Sequence, residues 1–453
     1  MLVVLLGAWA KRPAASVAAS WVILAGAALA LWTAPLQHLF FGLIVVDPFS
    51  QAFRWIALGT LAVVLLLITA SREIHPSLRG EGLGLLLLIG VGLMLMAEAD
   101  HLLMAYLSME LVSLSAYLLV GFLREPRSAE AALKYLLFGA LSSGIMLFGM
   151  SLLFGLTGQL GFAELRAGVG GMAEPMAGAL LLATALMLAG LAFKISMVPF
   201  HMWTPDAYEG APVPVAALLS VGPKAAGLAL LLRILTALEP VWPMVAPVVL
   251  ALTVLTMTLG NVVALVQTNV KRLLAYSTIG QVGYLLIGVA VHTRLSVEAL
   301  VLYLAAYLFM NLGAFACVVA VVNETGSESL EAFRGLSRRA PALALVMTLL
   351  LLSLAGIPPL FGFIGKFLLF GAAIEAEVEW LAVAGVINSA VALYYYVQFI
   401  RLMYFAEAAP ETAGARLHPA LALRVALGVC TAPTLLLGLF PGPILQLIQA
   451  GML

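Results

Sequence analysis

Apolar residues fall in blocks of about twenty along nearly the whole chain, separated by short polar stretches. A helix rises ~1.5 Å per residue, so each block can cross a hydrocarbon core of ~30 Å. Blocks at 14–36, 51–71, 80–98, 101–123, 129–156, 176–209, 212–236, 241–265, 270–291, 296–322, 341–373, 380–405 and 420–440 predict membrane helices. A further apolar run, 1–10, precedes Lys11 and Arg12 and is too short to span, so the first helix reads as truncated. Strand-like alternation is absent, which excludes a membrane β-barrel. The expected fold class is an all-α polytopic membrane protein with about 14 transmembrane helices.

Two blocks, 176–209 and 341–373, are too long for one crossing, and each holds helix breakers. The first contains "SMVPF", where Pro199 removes an N–H and clashes with the preceding turn. The second contains "LAGIPPLFGFIGKF", with Gly356, Pro358, Pro359 and Gly362 at its middle. The breaks occupy matching places: 80–236 makes five spans with the fourth broken, and 241–405 makes five more, again with the fourth broken. Five is odd, so the units enter the membrane from opposite sides. Inverted repeats with discontinuous helices are the architecture of ion-translocating transporters. The expected organisation is N-terminal helices over 1–79, half-channels over 80–236 and 241–405, and a C-terminal helix over 406–453.

Composition agrees: 64% of residues are hydrophobic, 10% are charged and the net charge is zero, which suggests no nucleic-acid partner. Cys317 and Cys430 form no CxxC, and the six histidines make no facing midplane pairs, so neither an iron–sulfur site nor haem ligation is expected. No metal or cofactor site is expected in this chain. The placement of charge says more. Of the 22 Lys and Arg, fourteen gather on one side of the predicted spans, and four, Arg54, Arg166, Arg233 and Arg294, fall on the other. The positive-inside rule puts the larger set in the cytoplasm and both termini outside. The remaining four cations are all lysines within spans: Lys134, Lys194, Lys224 and Lys366.

Loops therefore use arginine almost throughout, while the spans use lysine. Arginine keeps its proton in practice; lysine can release one when its surroundings disfavour the charge. Lys194 lies just before the first break and Lys366 just after the second. Lys224 is central in its span, whereas Lys134 is near a span end, four residues after Glu130, and either snorkels there or joins the others. Among the acids, Glu110 alone sits mid-span, in "HLLMAYLSMELVSLSAYLL", as a functional carboxylate or a neutral structural one. Ser142, Ser143, Tyr276, Ser277, Thr278, Tyr303, Tyr307, Asn311 and Tyr394 to Tyr396 are polar groups that either hold water between these sites or bond helix to helix. His201, past the first break, either relays protons or ties up broken backbone.

Three stretches, "FKISMVPFHMWTPDAYEGAPVPV", "QTNVKRLLAYSTIGQVGYLL" and "LLSLAGIPPLFGFIGKF", resemble the antiporter-like membrane subunits of respiratory complex I, relatives of Mrp sodium/proton antiporters. The resemblance covers roughly 80–440. Within it, a lysine at 366 in place of glutamate, and the short tail after the last span, resemble the N-type branch. The resemblance implies proton translocation, with Glu110 and Lys194 as a modulating ion pair, Lys224 as the lysine bridging the halves, and Lys366 as the terminal exchange site. Lys134 matches a family lysine of less defined role. It also implies a bacterial inner membrane and partners that include a neighbouring antiporter-like subunit M, a small subunit K, lipids and protons. NADH, FMN, iron–sulfur clusters and quinone are expected in partner subunits. Two other readings stay open: a stand-alone or Mrp-type cation/proton antiporter subunit, and a structural spacer whose lysines are idle.

Overall fold

The computed structural model describes residues 13–171, 176–407, 417 and 419–451. The expected apolar run 1–10 lies outside them. The first unit of the chain is α1 (Pro13–Thr33) and α2 (Pro48–Ala70), joined by a small antiparallel hairpin, Gln37–Leu39 with Ile44–Val46. Then come α3 (Arg79–Glu98), α4 (Leu102–Val120), α5 (Pro126–Thr157), α6 (Ala177–Ile195), α7 (Trp203–Gly210) and α8 (Val213–Ala237). A matching series follows: α9 (Trp242–Ala264), α10 (Val270–Val291), α11 (Arg294–Thr325), α12 (Pro341–Ala355), α13 (Phe361–Glu375) and α14 (Glu379–Phe405). The chain closes with α15 (Leu421–Leu439) and α16 (Gly442–Gly451). The hairpin, the short helix Phe162–Gly170 and α16 were not expected, because each is brief and carries no membrane-length apolar run. The tail over 406–453, expected to hold one helix, holds two.

Local chemistry sets the helix ends. Asp47 and Ser50 make a reciprocal capping box at the start of α2, and Thr293 and Ser296 make another at α11. The Asn269 side chain accepts from the backbone of Lys271 and Arg272 and caps α10. Among the described residues twelve helices are long and apolar enough to cross a membrane, and α12 with α13 forms a further, broken traverse. Packing follows the repeat: α3 lies on α4 as α9 lies on α10, and α5 packs on α6 as α11 packs on α12 and α13. The apolar window of α8 is 100% buried inside the protein, and those of α10 and α11 are 89% buried, so these three helices form its interior. Glycine permits the closest approaches, as at Gly260, where an added Cβ would meet the backbone of Gly280 at 2.4 Å.

Both breaks close the same way. At the first, Ser196 adopts φ +64°, its N–H donates to Phe193 O, and Met197 N–H donates to Ala192 O. At the second, Gly356 adopts φ +89°, its N–H donates to Ser353 O, and Ile357 N–H donates to Leu352 O. These paired 5→2 and 6→1 bonds are Schellman caps, which stop a helix while satisfying its last carbonyls. A cis X-Pro bond follows in each, Val198–Pro199 and Pro358–Pro359. Two further backbone groups find side chains: Val198 N–H donates to Thr256 Oγ1 at 3.1 Å, and Gly362 N–H to Ser353 Oγ at 3.0 Å. These bonds pair backbone that the breaks would otherwise leave open in a low-dielectric setting.

Candidate functional site

Glu110 stands in the middle of α4 with Oε1 buried and without a hydrogen-bond partner. One turn on, Ser113 faces α6. Lys194, in the last turn of α6 and 1% exposed, donates to Ser113 Oγ at 2.9 Å and to Met109 O at 3.4 Å. Its ammonium also lies at the carboxyl end of the half-helix, where the helix dipole favours a cation. Glu110 and Lys194 are therefore neighbours that do not close into an ion pair here. Lys194 has taken a hydroxyl and a carbonyl instead.

Lys224 lies on α8, directly after Pro223, and is fully buried with no hydrogen bond from Nζ. What it has is aromatic. Its Nζ sits 4.4 Å from the ring centroid of Trp203 and 5.9 Å from that of Tyr208, both on α7 just past the break. Trp203 is held in turn: Nε1–H donates to Phe193 O at 3.0 Å, and its ring stacks on Tyr135 at 4.2 Å. Trp203 thus touches the residue before Lys194 on one side and Lys224 on the other.

Polar groups continue from Lys224 into the second unit. Ser220, one turn earlier on α8, accepts from Asn311 Nδ2 at 2.6 Å. Asn311, Tyr307 and Tyr303 recur every four residues on one buried face of α11. Tyr307 donates to Thr278 Oγ1 at 2.9 Å, and Tyr303 donates to Gln281 Oε1. Gln281 Nε2 donates to Leu354 O at 2.9 Å, next to the second break. There Lys366, 3% exposed on α13, donates to Ala355 O at 3.2 Å and to Ser389 Oγ at 3.3 Å, and covers the Tyr284 ring at 4.0 Å. Lys194 and Lys366 therefore both rest at the carboxyl end of a half-helix, one within it and one across the break.

The other expected residues fall differently. Lys134 is 44% exposed and pairs with Glu130 at 2.8 Å and Asp206 at 3.2 Å, which is the snorkelled, i to i+4 arrangement. It joins a band of charge in which Arg272 bridges Asp206 and Glu209, and Arg127 bridges Glu209 and Glu328. His201 Nδ1 is buried without a hydrogen-bond partner of its own, yet the ring interacts with the backbone of Pro199 at the break, where Thr256 and Trp203 also pair with backbone groups. Tyr394 is 60% exposed and turns away from the polar axis that Tyr395 and Tyr396 face. Cys317 and Cys430 are free and buried. Among the described residues no three His, Cys, Asp or Glu side chains gather to hold a metal ion.

Sequence reading missed Ser113, Trp203, Tyr208, Gln281, Tyr284 and Ser389, which lie among the polar contacts. Gln281 had a signal, a lone amide inside an apolar span; the aromatic residues had none, since rings are common in membrane cores. Lys271, counted among the loop cations, is 0% exposed, pairs with Glu328 and donates to Ala211 O at 2.7 Å. Its place at the first turn of α10 made it look interfacial.

Residues 99–392 match the family described as NADH:quinone oxidoreductase/Mrp antiporter, transmembrane. The chain is 44% identical to NADH-quinone oxidoreductase subunit N 2 of Sorangium cellulosum, over 91% of this chain and 85% of that one. It is 42% identical to NAD(P)H-quinone oxidoreductase subunit 2 of Thermosynechococcus vestitus, over 92% and 83%. Among solved structures, a chain of respiratory complex I from Thermus thermophilus superposes with a TM-score of 0.79 at 34% identity, covering 96% of this chain and 93% of that one.

Proposed function

The chain belongs to the NADH:quinone oxidoreductase/Mrp antiporter transmembrane family, and we propose from that premise how its own residues move a proton. It is a proton-translocating, multi-pass membrane subunit of the N type in a bacterial NADH:quinone oxidoreductase, and it works in respiratory complex I with other subunits. NADH, FMN, iron–sulfur clusters and quinone belong in our reading to those partners, among which a subunit M and a small subunit K are its neighbours. The positive-inside asymmetry of its loops supports both termini facing outward.

Its protonic path, in our reading, runs from Lys194 past Trp203 to Lys224, then along Asn311, Tyr307, Thr278, Gln281 and Tyr303 to Lys366. The observation that carries this is the setting of the three lysines: all are buried, none has a carboxylate partner, and hydroxyls, amides and backbone carbonyls lie between them. Closing Glu110 onto Lys194 would favour the charged ammonium there. Opening it leaves that charge uncompensated, so it repels a cation on Lys224 and drives the proton toward Lys366. Charges interact strongly at the low effective dielectric of such a site. The unpaired Glu110 and Lys194 correspond, in our reading, to the open form. Lys134, bound to Glu130 and Asp206, serves as a charge relay at the rim. His201, with a free buried nitrogen beside the break, is an ancillary proton carrier. The units 80–236 and 241–405 act as the two half-channels.

Glu110→Ala combined with Lys194→Ala in the assembled complex tests the reading. NADH-driven proton translocation is expected to fall severely with subunit content unchanged; normal pumping in the double variant contradicts the reading.

A further inference from the structure

A cavity of about 640 Å³ opens where α12 begins, between the short helix Leu336–Arg339, α12 and α15. One end is cationic: Arg338, Arg339 and Arg424 line it, and none of the three has a carboxylate partner among the described residues. This sets them apart from Arg54, Arg127, Arg233 and Arg272, which are all paired with carboxylates. Arg339 is 7% exposed, and its Nε is buried without a partner, while one Nη donates to Ala332 O at 2.6 Å. Burial pushes its guanidinium down from the ordinary value. The other end is apolar. Leu343 and Val346 of α12 face Leu427 and Gly428 of α15, and Thr431 lies at the far end. A Cβ built on Gly428 meets nothing within 4 Å, so the slot is open there.

We propose that this groove binds one anionic phospholipid, with its phosphate on Arg338, Arg339 and Arg424 and an acyl chain lying between α12 and α15. Charge and shape fix the occupant together. Three guanidiniums with no carboxylate partner among the described residues, at a membrane interface, call for a phosphate, which arginine binds in a bidentate manner. An apolar slot running from them along two membrane helices calls for hydrocarbon joined to that phosphate. A free phosphate would leave the slot empty, and a zwitterionic lipid would bring a second cation to the arginines. The lipid would tie α15 to α12, the half-helix whose Ala355 carbonyl holds Lys366.

The test uses the purified complex in phosphatidylcholine nanodiscs containing a trace of phosphatidylglycerol with a photoreactive diazirine in its acyl chain. Cross-links are mapped by peptide mass spectrometry, without turnover, so the outcome does not depend on the pumping mechanism. Labels are expected on residues 343–346 and 427–431. They should fall on the order of tenfold in Arg338→Gln/Arg424→Gln, both exposed positions whose change leaves the fold intact, since each surface arginine strengthens attraction to an anionic lipid. They should vanish in Gly428→Trp, which fills the slot and keeps every charge. Equal labelling by photoreactive phosphatidylcholine, unchanged labelling in both variants, displacement by millimolar inorganic phosphate, or a neighbouring subunit cross-linked in the groove would each overturn the proposal.

Discussion

Lys366 Nζ donates across the second break to the carbonyl of Ala355, 3.2 Å away, so the lysine and the last turn of the preceding half-helix share one polar pocket. Gly356 makes that contact possible. It adopts φ +89°, and a Cβ there would meet Lys366 Cδ at 2.9 Å. Gly356→Ala therefore adds backbone strain of about 1–2 kcal/mol and pushes the lysine from its acceptor. Gly158→Ala is the control: φ is +68°, but the space around it is open. Proton pumping in membrane vesicles should drop markedly for Gly356→Ala and stay near normal for Gly158→Ala.

Trp203 separates Lys194 from Lys224 and is anchored by its own N–H. Trp203→Ala removes a buried ring at a cost of about 3–5 kcal/mol and takes from Lys224 the nearer of its two aromatic rings. Trp203→Phe keeps a ring and loses only the bond to Phe193 O. NADH-driven pumping should fall strongly in the first and partly in the second; thermal stability of the purified complex should follow the same order. Equal effects would mean that the indole N–H, and not the ring face, is what matters.

Gln281 bonds both Tyr303 and the backbone beside the second break. Gln281→Leu strands the Tyr303 hydroxyl in the core, a penalty of about 1–3 kcal/mol. The complex should still assemble, while proton translocation per NADH oxidised falls. Gln281→Glu, which can accept from Tyr303, should retain more pumping than the leucine variant.

Much of the fold was legible because membrane helices announce themselves by length and hydropathy, and because Pro199 and Gly356-Ile357-Pro358-Pro359 break helices for local reasons. The lysines stood out for a similar reason: charge inside an apolar run is rare. Their surroundings were not legible. Trp203 over Lys224 and Gln281 on Leu354 O are contacts between helices far apart in sequence, set by packing alone. That Glu110 and Lys194 do not pair was equally hidden, since sequence shows that the two exist but not whether they touch. Lys271 illustrates the opposite error, a cation at a span end that tertiary packing buries completely.

Lys224 offers the most direct test of proton transfer, because it is fully buried on a helix whose apolar window is wholly enclosed and its Nζ makes no hydrogen bond. The measurement is the number of protons translocated per NADH oxidised by vesicles carrying Lys224→Met or Lys224→Arg, with NADH oxidation by a water-soluble acceptor as the control for the rest of the complex. Pumping should fall strongly in both variants with the control activity unchanged, since arginine restores the charge but not the ability to release a proton. Normal pumping with methionine at this position would contradict proton transfer through Lys224.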